Sequence, residues 1–158
     1  MRFLLKVSTI VAICLLFANV VAAQNYGAIL AGTNEVPPNV SPATGTATLT
    51  LDAAKLLHVH VDCMNLTTAI TASHIHCCAA VGSNAGVKFP LIPPQPAACP
   101  IDITVGPLTA TDEANLNGGL MYVNIHTTMF PGGEIRGQVV GPVAVSLHPW
   151  TFVKELYQ

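Results

Sequence analysis

Charge is scarce in this chain. Asp, Glu, Lys and Arg make up 9% of 158 residues, and only six of them are cationic. Displacing counterions from a phosphate backbone needs a basic face, and six scattered cations do not make one, so nucleic acid is excluded as a partner. The acids are too few and too dispersed to offer a convincing carboxylate pair for glycoside hydrolysis. Also missing are the Gly-x-Ser-x-Gly elbow of serine hydrolases, the Gly-x-x-x-x-Gly-Lys phosphate loop and the His-Glu-x-x-His zinc helix. Long helical periodicity and internal repeats are absent. Beyond the first residues no apolar run is long enough for a transmembrane helix.

Those first residues carry a targeting pattern. Arg2 and Lys6 supply a positive start, Val7 to Ala18 an apolar core too short to span a bilayer, and Val21-Ala22-Ala23 small residues for cleavage. The pattern predicts a signal peptide over residues 1–23 and a secreted, extracellular protein, or a periplasmic one in a bacterial host, without a transmembrane anchor. Removing it takes away Arg2 and Lys6, so six cations become four while all eight acids remain, and the formal charge moves from −2 to −4. Cys14 leaves as well. Cys63, Cys77, Cys78 and Cys99 stay, an even number in an exported chain, which predicts two disulfides. Four cysteines allow three connectivities. A bridge between the neighbours Cys77 and Cys78 would need a strained ring, so one bond from each to Cys63 and Cys99, in either order, is expected. Asn65-Leu66-Thr67 is a glycosylation acceptor if the host is a eukaryote.

The rest of the chain suits one β-rich domain with twelve glycines and twelve prolines. Residues 44–51 and 56–61 alternate apolar and polar with period two, as half-buried strands do, and 101–108, 119–127 and 134–140 read the same way. Turn signals at Val36-Pro37-Pro38, Gly82-Ser83-Asn84, Asn117-Gly118-Gly119 and Pro131-Gly132-Gly133 separate them, the pattern of an antiparallel sandwich or barrel. Residues 79–100 are dense in proline and glycine and read as a long loop tied down by Cys99, because proline cannot donate to an interior ladder. Residues 141–158 form an extension whose aromatics favour packing on the domain, as a short helix or a tail.

Two histidine segments stand out: Ser73-His74-Ile75-His76-Cys77-Cys78, and Tyr122-Val123-Asn124-Ile125-His126-Thr127 followed by Pro131-Gly132-Gly133-Glu134-Ile135-Arg136-Gly137-Gln138. In a strand His74 and His76 project from one face, with Ile75 opposite, and Tyr122, Asn124 and His126 likewise share a face. If the two strands meet, three imidazoles converge on a site for one copper or zinc ion, since neutral imidazole suits both metals. A hydrogen-bonded cluster without metal is the competing reading. His58 and His60 alternate with apolar residues and read as a solvated face. Arg136 is suited to bidentate pairing with a carboxylate, and Glu35 is its expected partner in a structural ion pair.

Together with Ala31-Gly32-Thr33-Asn34-Glu35-Val36-Pro37-Pro38, these segments, in their order from about Tyr26 to Val140, resemble the CHRD domain. That module belongs to the extracellular antagonist chordin and occurs singly in microbial secreted proteins. The resemblance implies a CHRD-like domain over residues 24–140 with an all-β sandwich or barrel, immunoglobulin-like or copper-zinc superoxide dismutase-like. It implies an extracellular binding or structural module with a protein or other ligand as partner, more a binder than an enzyme. His74-Ile75-His76 and the run from His126 to Gly137 also look like the copper strand and later His and Arg segment of copper-zinc superoxide dismutases. A copper-dependent redox enzyme is therefore the alternative class.

Overall fold

The computed structural model describes residues 23–91 and 98–141. The expected signal peptide, apart from Ala23, lies outside them, as do residues 92–97 of the proline-rich segment and 142–158 of the C-terminal extension. Eight strands form one antiparallel sheet: β1 (Gln24–Ala31), β2 (Thr44–Leu51), β3 (Leu57–Met64), β4 (Ile70–Cys77), β5 (Gly86–Pro90), β6 (Ile101–Val105), β7 (Met121–Thr127) and β8 (Ile135–Gln138). Their spatial order is β5-β4-β7-β8-β1-β2-β3-β6, a nearly closed, barrel-like sheet. The all-β architecture expected from the period-two pattern is thus present. Among the described residues no helix is long and apolar enough to cross a membrane.

Alternation decides which side chains enter the core. In β2, Ala47, Leu49 and Leu51 are buried while Thr44, Thr46 and Thr48 face out, and in β3 Leu57, Val59 and Val61 are buried. They join Leu30, Ile75, Ile101, Met121, Val123, Ile125 and Ile135 in one cluster. Full burial of a side chain of this kind contributes about 1.5–3 kcal/mol, which sets the register because a one-residue slip would expose the whole row. The first and last strands of the domain meet, with Ala31 opposite Arg136 and Gly27 bridged to Val140.

Two elements depart from the sequence expectation. The segment read as a loop over 79–100 contains β5, an edge strand paired only with β4. An edge position tolerates Pro90, whose missing N–H is not needed there. Between β6 and β7 lies a short helix, α1 (Ala110–Asn117), where no helix was expected. Its sequence is mostly polar, so it carries little periodic signal, yet Thr109 and Asp112 form a capping box that fixes its start.

The disulfide pairing also differs. Cys63 bonds Cys99, and Cys77 bonds its neighbour Cys78. Register explains the first: β3 and β6 are antiparallel with Val61 opposite Ile101, which carries Cys63 and Cys99 to within 5.6 Å between Cα atoms. Cys77 ends β4, separated from β3 in the sheet by β7, β8, β1 and β2, so neither Cys63 nor Cys99 is its neighbour. The bond from Cys99 to Cys77 or Cys78 favoured by the sequence is not made.

Candidate metal centre

β4 and β7 lie side by side, with His74 opposite Asn124, His76 opposite Tyr122 and Ala72 opposite His126. This register puts His74, His76, Tyr122, Asn124 and His126 on one face, while Ile75, Val123 and Ile125 point into the core. Arg136 and Gln138 of β8 extend the same polar face, opposite Asn124 and Tyr122. One ring nitrogen from each of His74, His76 and His126 lies within 4.8 Å of the others, a set able to hold a metal ion. Tetrahedral ligands about 2.0–2.1 Å from zinc stand roughly 3–4 Å apart, so the rings need only a small side-chain rotation to close on an ion.

Two backbone carbonyls orient the rings. His76 Nδ1 is 3.0 Å from the Ala85 carbonyl and His126 Nδ1 is 3.0 Å from that of Pro131. A carbonyl only accepts, so both Nδ1 atoms carry the proton and both Nε2 atoms present a lone pair. His74 Nδ1 then donates to His126 Nε2 at 3.2 Å. His76 Nε2 is buried with no hydrogen-bond partner among the described residues. Its ring stacks flat on Tyr122, centroids 4.7 Å apart, which holds it in place. All three imidazoles titrate below the ordinary histidine range. Burial is the main cause for each, aided for His74 by repulsion from the other two rings, and for His76 and His126 outweighing the hydrogen bonds to Ala85 and Pro131. At neutral pH they are therefore neutral, the form that binds metal.

Over residues 26–139 the sequence matches the CHRD domain family. The chain belongs to that family. No curated protein and no solved structure matches it.

Beside the histidines, the CHRD domain buries Arg136, Glu35 and Glu134. Arg136 lies over the Tyr122 ring at 3.5 Å and donates to Asn84 Oδ1 at 3.1 Å and the Ser83 carbonyl at 2.7 Å. The expected Glu35–Arg136 ion pair is not formed. Asn84 stands between the two segments instead, accepting from Arg136 and donating to the Val36 carbonyl at 2.9 Å. Sequence reasoning missed Ser83 and Asn84 as partners, although the Gly82-Ser83-Asn84 turn had marked the loop. Glu134 accepts hydrogen bonds from Ser41, Thr67 and Thr127. Burial alone would raise its carboxyl, but these donors outweigh it and hold the group below the usual range. His58 and His60 lie far along the sheet on β3 and bond Thr104, Asp52, Asp102 and Asp62, as a solvated face does.

Glu35 is held differently. Its Oε2 accepts from Asn124 at a long 3.4 Å, and Oε1 is buried without a partner among the described residues. Gly133, at φ +133°, gives it room: a Cβ there would meet Oε1 at 2.6 Å. Burial pushes the carboxyl up to about 7 despite the nearby Arg136 and the Asn124 hydrogen bond. A raised carboxylate contributes stability fully present below the ordinary value of 4.5 and lost as pH rises through about 7. Glu35→Gln is therefore expected to gain about 2 kcal/mol on the native protein between pH 5 and pH 7. Urea unfolding of both proteins at the two pH values measures the difference. The histidines, whose depressed values cost stability as pH falls below 6.5, act equally on both proteins and cancel. Parallel pH dependences would show that Glu35 titrates normally.

Proposed function

We propose that this CHRD-domain protein is exported and serves outside the cell as a binding module that holds one copper or zinc ion through His74, His76 and His126. The observation that carries the reading is the buried lone pair of His76 Nε2. An unpartnered buried acceptor costs about 1–3 kcal/mol, and an ion between the three rings would satisfy it. Carbonyls on the far side of two ligand rings fix their tautomer, as partners of metal-bound histidines do. Two disulfides and the N-terminal targeting pattern support export, where the module would meet an extracellular protein or other ligand. Three protein ligands leave the fourth position of a tetrahedral ion to water or a small molecule, and half-exposed His74 and His126 leave it reachable. That access favours, as a second reading, a copper-dependent redox activity on the same ligands.

Titrating chelator-treated protein with Cu(II) and with Zn(II) at neutral pH is expected to saturate at one equivalent. Superoxide-removal and oxidase assays on the copper-loaded protein separate the carrier from the enzyme. No stoichiometric binding of either ion would leave the hydrogen-bonded cluster as the account of these histidines.

A further inference from the structure

Two segments fit the Asn-x-Ser/Thr pattern of N-linked glycosylation, Asn39-Val40-Ser41 and Asn65-Leu66-Thr67. Spacing alone treats them alike. The fold separates them, because a sugar replaces one hydrogen of the asparagine amide and needs open space beside it. Asn39 uses its whole carboxamide. Its Nδ2 donates to the Gly133 and Glu134 carbonyls, each at 3.1 Å, and its Oδ1 accepts from the Ser41 backbone at 2.9 Å. Both Nδ2 hydrogens are thereby committed, and the group packs so closely on Gly32 that a Cβ there would overlap Oδ1. A sugar on Asn39 would break the tie between the first loop and the turn before β8.

Asn65 is in the opposite condition. It opens the connection between β3 and β4, exposed to solvent, at φ +58°. Asparagine tolerates this left-handed conformation better than most residues. The chain just after it is anchored: Leu66 packs against the core, and the Thr67 N–H donates to Glu134 Oε1 at 2.9 Å. The attachment point is therefore held by its neighbours while Asn65 itself stays in water. Met64, the residue before it, is 66% exposed, so a sugar there would stand beside an apolar side chain that the fold leaves uncovered.

We propose that Asn65 is a modification site carrying an N-linked oligosaccharide, and that Asn39 in the folded protein carries none. In the transfer, Asn65 Nδ2 forms a bond to the anomeric carbon of a sugar carried on a lipid pyrophosphate. The bond from that carbon to the pyrophosphate oxygen breaks, the lipid pyrophosphate leaves, and the amide nitrogen gives up one proton. The proposal shares the export step with the reading above and is independent of the metal, so metal titration and glycan mapping succeed or fail separately. The test is translation of the full chain, with its own N-terminal segment, in the presence of endoplasmic-reticulum microsomes. One endoglycosidase-sensitive mobility step is expected. It should be lost in Asn65→Gln and in Thr67→Ala, which keeps the asparagine but removes the hydroxyl of the pattern, and kept in Asn39→Gln. Transfer meets the chain as it enters, so this readout does not depend on the variants folding. The geometry at Asn39 bars the folded product and not the enzyme, so the occupied site is mapped by mass spectrometry on the protease-resistant fraction of the unmutated protein. Asn65 is expected there, converted to aspartate on enzymatic removal of the sugar. No mobility step, a step that survives Asn65→Gln, or a sugar on Asn39 in the protease-resistant fraction would each overturn the proposal.

Discussion

Arg136→Ala is expected to lower stability by about 3–4 kcal/mol, from three losses that add at one site. The first is the contact of the guanidinium with the Tyr122 ring, worth about 2 kcal/mol when desolvated as here. The second is the loss of the two charge-assisted hydrogen bonds to Asn84 Oδ1 and the Ser83 carbonyl, acceptors on exposed residues that water then serves. The third is the space left by the aliphatic stem on a face covered by the 32–38 and 79–85 segments. Asn84 also holds Val36, so the change propagates into the first loop. Arg136→Lys is expected to recover only part of this, because an ammonium cannot reproduce the planar fork. Chemical denaturation of the three proteins measures the series. A loss below about 1 kcal/mol for Arg136→Ala would place it with ordinary surface changes and refute the bridging role.

How much of this was legible in the sequence depends on whether the signal is local. Period two in 44–51 and 56–61 placed β2 and β3 because each residue there answers to a single buried face. The same rule put His74 and His76 together, and Tyr122 with His126. It could not say that β4 would pair with β7 in the register that brings His126 diagonally to His74, since that depends on the order of the whole sheet. The disulfides failed for the same cause: pairing follows from β3 lying beside β6, a contact between segments about 40 residues apart. Local cues were too weak for β5, whose Pro90 and the proline-dense stretch after it suggest a loop unless the edge position is known, and for α1, whose apolar residues are sparse. Glu35 was readable as a partner for Arg136 by charge. That it lies buried beside Asn124 instead, with Asn84 bridging the segments, comes from loop packing that no spacing rule describes.

The three histidines admit a sharper test than their proximity. His76→Ala is expected to weaken copper or zinc by at least about 100-fold, more than the loss of an outer partner typically costs. It removes the ring whose Nε2 is buried without a partner, and because the bond to Ala85 and the stacking on Tyr122 are lost with it, unfolding of the metal-free variant is measured alongside so that lost affinity is read on folded protein. His58→Ala is the matched control, an exposed histidine engaged with Asp52 and Thr104, and should leave affinity unchanged. Proton competition supplies an independent check. Because burial holds all three imidazoles below 6.5, affinity should stay level down to that pH and fall only beneath it, as the rings take up protons. Equal losses in His76→Ala and His58→Ala would mean adventitious binding at surface imidazoles. Metal affinity untouched by His76→Ala would remove the cluster from the function altogether.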